Sequence, residues 1–191
     1  MSKKSQKYAL ISVFDKTGIV ELAKAISKTG YKIISTGGTA KVLTDNNIPV
    51  IPIQEITGNP ESFDGRMKTI SFEIESGILF DRNNPKHVKE AKKLNIKSID
   101  IVVCNLYPFE QKQTIENIDV GGPIMIRAAA KNFKNVLVIV DPKDYRDISL
   151  ILGSIRLLSQ KRKELAAKAF AHVALYDSQI ARFLSKEEFP Y

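Results

Sequence analysis

The stretch Tyr31-Lys32-Ile33-Ile34-Ser35-Thr36-Gly37-Gly38-Thr39-Ala40-Lys41-Val42-Leu43 decides the fold. Its largely apolar start, Tyr31–Ile34, reads as a strand. The hydroxyl-and-glycine middle reads as a tight loop, and the end as the first turns of a helix. A strand feeding a helix through such a loop aims backbone N–H groups, two threonine hydroxyls and the positive end of a helix dipole at one point. That arrangement suits a phosphate. The same residues also fit a tight turn with an N-cap. No Gly-Lys-Ser/Thr follows at Walker A spacing and Gly-x-Gly-x-x-Gly is absent, which disfavours nucleoside triphosphates and dinucleotides.

Working outward, the same alternation recurs. Tyr8–Val13 reads as a strand, and Ile19–Ile26 as a helix whose apolar spacing stops at Gly30. Pro49–Ile53, Ile99–Cys104 and Val136–Val140 have the near-continuous β-branched character of buried parallel strands, with Pro85–Leu94 and Pro123–Lys131 as helices between them. The pattern predicts an α/β domain over residues 1–142, with a mostly parallel sheet flanked by helices and a ligand site beyond the C-terminal strand ends. Phe14-Asp15-Lys16, Gly37-Gly38 and Asn105-Leu106-Tyr107-Pro108 fall at such ends. From Asp144 to about Leu184 the periodicity turns helical. One stripe holds Ile148, Ile151, Ile155 and Leu158, and another holds Leu165, Ala169, His172, Val173, Tyr176 and Ile180. Residues 143–191 are therefore expected to form a C-terminal helical pair. It either packs on the α/β body as one folding unit or meets a second copy of the chain.

Composition sets outer limits. The 191 residues are 43% hydrophobic, enough for a substantial core. A net charge of +8 favours an anionic partner, but the lysines are spread along the chain, so nucleic acid is not indicated. No apolar run approaches the ~20 residues that span a bilayer, and Met1–Lys7 lacks the apolar core of a signal peptide. The expectation is a cytoplasmic protein without membrane partners. A single cysteine, Cys104, excludes an internal disulfide, and with only His87 and His172 beside it no metal centre is expected.

Two further stretches carry chemistry. Asn117–Asn132 joins Asp119, the Gly121-Gly122-Pro123 helix start and the cations Arg127 and Lys131, which share one helix face four residues apart beside small alanines. An alanine-rich helix with a solvated basic face has the same composition. The irregular Glu55–Ile70 loop contains Phe63-Asp64-Gly65-Arg66-Met67-Lys68-Thr69, where Arg66 and Lys68 are placed to clamp an anion or to sit solvated.

These residues resemble a known family: the IMP cyclohydrolase module that forms the N-terminal part of the bifunctional purine-biosynthesis protein joining AICAR transformylase to IMP cyclohydrolase. The matching stretches are Ser12-Val13-x-Asp15-Lys16-Thr17-Gly18, Ser35–Ala40, Gly65–Thr69, Cys104–Phe109, Ile118–Pro123, Arg127–Asn132 and Lys168-Ala169-Phe170-x-His172, in the family's order over nearly the whole chain. The resemblance implies a methylglyoxal-synthase-like fold, a homodimer, and closure of the formamido-imidazole carboxamide ribotide FAICAR to inosine monophosphate (IMP) with loss of water. No cofactor is implied. Ring closure needs a proton to leave the attacking amide nitrogen while charge develops on the formyl oxygen.

By resemblance, Lys131 exchanges the proton, Lys68 is the cation at the formyl group, and Asp119 and Tyr107 orient and polarise the amide. The substrate phosphate would sit where Phe14, Asp15 and Lys16 converge with Thr36, Gly37, Gly38 and Thr39, with Arg66 and Thr69 closing the site. The base would meet Asn105 and the Asp119-Val120 backbone, and Ser12, Met67, Cys104, Gly121 and Arg127 complete the substrate-binding set. The sequence departs from the family in three places. Ile70-Ser71-Phe72 and Glu75-Ser76-Gly77 stand where the family has Leu-His-Pro and His-Gly-Gly, and Phe14 replaces a small serine, which is expected to narrow the phosphate side. The bifunctional proteins continue into a transformylase domain where this sequence ends at Tyr191. A free-standing cyclohydrolase and a fragment both fit, and no folate chemistry is expected of these residues.

Two alternatives share the fold: a methylglyoxal-synthase-like lyase, which needs a catalytic carboxylate beside the phosphate loop, and a non-catalytic purine nucleotide-binding module. His172 lies on an apolar helical stripe and reads as a packed core or interface residue, His87 as solvated, and Cys104 as a small buried thiol.

Overall fold

The structure, a computed structural model, describes residues 6–63 and 66–185. The expectations for Met1–Ser5 and for Gly65 lie outside these described residues.

Five parallel strands form the sheet: β1 (Tyr8–Val13), β2 (Lys32–Ser35), β3 (Val50–Pro52), β4 (Ile99–Asn105) and β5 (Leu137–Ile139), in the order β3-β2-β1-β4-β5. Register puts Ile51, Ile34, Leu10, Val102 and Val138 in one row across the sheet. The preceding residues Val50, Ile33, Ala9, Ile101 and Leu137 form the row on the other face. Because side chains alternate along a strand, the two rows seed two cores, and both must be covered by helices. Each fully buried Leu or Ile contributes roughly 1.5–3 kcal/mol.

One core is closed by α1 (Ile19–Lys28), α2 (Gly37–Asp45), α7 (Tyr145–Ile151) and the start of α8 (Ile155–Leu184). The other is closed by α4 (Phe72–Leu79), α6 (Gly121–Lys131) and the rest of α8, with the single turn α3 (Gln54–Thr57) at its edge. The peripheral α5 (Pro85–Lys93) begins after Asn84, whose side chain accepts the Lys86 N–H at 3.0 Å.

The expected fold class stands, and two readings change. Helix α4 was not anticipated, because it is eight residues long and carries Gly77 at a point with no room for a Cβ against the Lys97 carbonyl. Its ends are satisfied from outside its own pattern. Ser71 accepts the Ile74 N–H at 3.1 Å, and the Arg82 guanidinium donates to the carbonyls of Gly77, Ile78, Phe80 and Ile99 at 2.6–2.9 Å. The C-terminal pair is unequal. Leu152, Gly153 and Ser154 separate α7 from the 30-residue α8, so Ile148 and Leu158 are buried while Ile155 is exposed. The second stripe behaves as expected, with Leu165, Ala169, Val173 and Tyr176 buried.

Candidate active site

After β1 the chain adds β2 on one side of it and later β4 on the other, so the loops leaving β1 and β4 diverge. Ligand crevices of open α/β sheets form at such a point, beyond the carboxyl ends of the strands. A cavity of about 730 Å³ opens there, lined by Ser12, Phe14, Lys16, Thr36–Thr39, Arg66, Lys68, Thr69, Cys104, Asn105, Tyr107 and the segment 115–122.

One end is built around the start of α2. Thr36 occupies the N-cap position without a capping side-chain hydrogen bond, so the reading of this loop as a turn with a side-chain N-cap does not hold. The Thr36 hydroxyl instead meets that of Ser12 at 2.9 Å. Thr39 is buried. Its hydroxyl accepts the Val13 N–H at 3.1 Å and donates to the Val13 carbonyl at 3.0 Å, which ties the loop to the end of β1. Gly37 has φ +42°, and a Cβ there would lie 2.9 Å from the Lys68 ammonium. A Cβ on Gly38 would lie 3.7 Å from Lys16 Cε. Two lysine side chains thus close on the glycine backbone at the positive end of a helix, an arrangement that attracts an anion.

The other end carries Tyr107, Thr69 and Asp119. Asp119 Oδ1 accepts the Gly122 N–H at 3.0 Å. Gly122 must lack a Cβ because one would collide with the Asp119 carboxylate and with Leu106, and at Gly121 one would collide with the Thr69 hydroxyl. Burial holds the Asp119 carboxyl above the usual aspartate range, against the lowering effect of the Gly122 and Gly121 N–H groups. Burial, with the Asp119 charge nearby, also pushes the Cys104 thiol far up, which leaves it inert as a nucleophile. Phe14 packs edge-on against Tyr107 with ring centroids 4.6 Å apart.

At the rim, Arg66 Nη2 pairs with Glu116 at 2.6 Å, both side chains exposed. The Lys68 ammonium pairs with Glu61 at 2.9 Å. Glu61 carried no sequence signal, and Glu116 sits in a single 3-10 turn (Ile115–Asn117) that no periodicity marks. Both, together with the lining residues Ile118 and Met125, went unread as site residues.

Four residues proposed from the sequence stand apart from this cavity. Lys131 and Arg127 line a separate groove of about 750 Å³ between α4, α6 and α8, with Glu75, Lys163 and Phe170. The cause is helical rise: at ~1.5 Å per residue, Lys131 starts roughly 15 Å along α6 from Gly121. The ammonium groups of Lys68 and Lys131 therefore do not share a cavity within one chain. Met67 turns outward where its backbone pairs with Ser62. Asp15 accepts the Thr17 N–H at 2.9 Å and faces a neighbouring cavity with Lys168 and His172. Burial lowers the proton affinity of His172, as its packed reading expects.

A parallel α/β sheet sealed by helices on both faces, with a lysine-flanked cavity at the strand ends, defines the class. Residues 18–134 match the family model of the MGS-like domain, and the chain belongs to that family. Residues 129–191 match the model of the AICARFT/IMPCHase bienzyme. The bifunctional purine biosynthesis protein PurH of Acetivibrio thermocellus is 50% identical over 96% of this chain and 38% of its own length. PurH of Lactiplantibacillus plantarum is 48% identical over 96% of this chain and 38% of its own. The chain thus spans less than two fifths of these relatives. The crystal structure of ForH, 32% identical, superposes with a TM-score of 0.83 over 94% of this chain and 97% of that one.

Proposed function

We propose that the chain is an IMP cyclohydrolase that closes FAICAR to IMP with loss of water. The observation that carries this reading is the single cavity in which Lys16, Thr36, Gly37, Gly38 and the Lys68 ammonium stand together at the glycine cradle, with Tyr107 and Asp119 lining the same space. The likeness to part of a bifunctional purine biosynthesis protein supports the same reading. The glycine cradle and Lys16 take the ribotide phosphate. The carboxamide nitrogen attacks the formyl carbon and gives up one proton while the formyl oxygen takes up charge beside the Lys68 ammonium; the formamide nitrogen then gives up its proton as the ring C=N bond forms, and the oxygen departs with two protons as water. Asp119 and Tyr107 orient the amide. The raised proton affinity of Asp119 suits a group that shares the proton in flight.

The chemistry is assigned here to Lys68, Asp119 and Tyr107, because Lys131 lies outside the cavity. We also propose a homodimer, with the exposed apolar side chains of Leu79 and Phe170 beside Arg127 and Lys131 on the face that meets the second copy. We further propose a cytoplasmic protein. Among the described residues no helix is long and apolar enough to cross a membrane.

A second reading is favoured by that same displacement of Lys131: a module that binds a purine mononucleotide without closing a ring. Incubation of the purified protein with FAICAR, followed by IMP absorbance, decides between them. Turnover lost in Asp119→Ala and Lys68→Ala supports the enzyme. IMP binding without turnover in the parent protein supports the binding module.

A further inference from the structure

Tyr176 of α8 is buried, and its hydroxyl meets the backbone of the segment that carries Asp119. It accepts the Asp119 N–H at 2.7 Å and donates to the Asn117 carbonyl at 3.3 Å. Residues 118–120 run between the 3-10 turn and α6 and belong to no ladder; the Ile118 N–H and the Val120 carbonyl find backbone partners in the flanking turns, while the Asp119 N–H is taken by the Tyr176 side chain. Asp119 is consequently held at two points: its N–H by Tyr176 and its carboxylate by the Gly122 N–H at 3.0 Å. The phenol ring is held in turn. Phe109, fully buried, packs edge-on against it with centroids 6.2 Å apart and against Phe183 at 5.4 Å. Tyr176 does not itself line the cavity.

We propose that Tyr176 is a positioning residue for the reaction: it fixes the Asp119 backbone so that the carboxylate meets the substrate amide in one geometry, and it makes α8 part of the active-site framework. This rests on the cyclohydrolase reading of the same cavity. The hydrogen bonds of Tyr176 go to the Asp119 segment, and those of the cradle hydroxyls to β1, so ground-state binding is separable from its effect. Misplacing a reacting group by a fraction of an ångström lowers the rate more than the affinity.

The test is Tyr176→Phe, which keeps the ring and removes the hydroxyl. Loss of the hydroxyl's two hydrogen bonds, of which the one from the Asp119 N–H holds the carboxylate's backbone, predicts a kcat about tenfold lower, with KM and IMP affinity within about twofold of the parent. Amide exchange at Asp119 is expected to accelerate about tenfold or more while the β1 and β4 amides stay protected, which shows the variant to be folded. A folded variant with unchanged kcat overturns the proposal, as does one that loses kcat and IMP affinity together. A parent protein without turnover overturns the cyclohydrolase reading and this role with it, which separates the two failures.

Discussion

Asn105, the last residue of β4, holds Asp15, two residues beyond β1, by a reciprocal pair of hydrogen bonds: Asp15 N–H to Oδ1 at 2.9 Å and Nδ2–H to the Asp15 carbonyl at 3.0 Å. The same Oδ1 also accepts the Phe14 N–H at 2.7 Å. A carboxamide thus continues the β1–β4 ladder past the strand ends, where the two chains diverge, and shapes the loop that carries Lys16. Asn105→Ala leaves two backbone N–H groups without this acceptor and is expected to cost about 2–3 kcal/mol in urea denaturation. Asn105→Asp keeps the acceptor but loses the donor and opposes the Asp15 carbonyl with charge. Its cost should be similar at pH 7 and smaller where the new carboxyl is protonated.

Gly37→Ala tests the cradle. The added methyl would sit at φ +42° and within 2.9 Å of the Lys68 ammonium. Backbone strain predicts a stability loss of about 1–2 kcal/mol. Displacement of Lys68 predicts a larger relative loss of IMP affinity, measurable by titration calorimetry. An unchanged affinity would place the nucleotide elsewhere.

Lys68 and Lys131 should part company in binding experiments. A charged contact to the ligand is worth about 1.5–3 kcal/mol, so Lys68→Ala is expected to weaken IMP binding roughly 10- to 100-fold. Lys131→Ala, altering a separate groove, should leave affinity within about twofold. Equal losses would show that the two ammonium groups reach one ligand after all.

Glu75 gives the protein a pH dependence. Both carboxyl oxygens are buried without a hydrogen-bond partner among the described residues, and burial pushes the group up from 4.5 to about 7. The folded state therefore holds this proton more tightly than the unfolded chain, and stability is lost as pH rises from about 4.5 through about 7. For a partly exposed group the effect is on the order of 1–2 kcal/mol after allowing for solvent screening. In denaturation curves taken between pH 4 and pH 8, the Glu75→Gln protein should lack this decline, so the two stabilities diverge with rising pH. His172, whose proton affinity burial lowers, acts with the opposite sign and is common to both proteins.

The helical extension should melt with the sheet. Leu165 and Tyr145 pack into one core and Ala169, Val173 and Tyr176 into the other, so the described residues of the extension, 143–185, form no core of their own. We expect a single unfolding transition, shifted by roughly 2–5 kcal/mol in Leu165→Ala. Two resolved transitions would show the extension to be a separate unit.

What was legible in the amino-acid order was whatever is encoded between near neighbours. Runs such as Ile99–Cys104 are β-branched and apolar because both faces of a parallel strand are buried, so all five strands could be read within a residue or two. The Asp119–Gly122 turn was readable because its carboxylate acts on backbone three residues away, and the Ser35–Ala40 loop because glycines mark the strand-to-helix turn, although its hydroxyls reach across to Ile11, Ser12 and Val13. Helix α4 was hidden because its stability comes from Arg82 and from packing, with no clear period of its own.

Other relationships belong to tertiary structure alone. The order β3-β2-β1-β4-β5 decides which loops share a cavity, and it follows from crossovers that no local spacing records. The pairing of Lys68 with Glu61, the hold of Tyr176 on Asp119, and the placing of Lys131 on a different face are set by where helices of given length end on the sheet. Local chemistry thus named most of the residues, while the distance travelled along α6 determined which of them can act together.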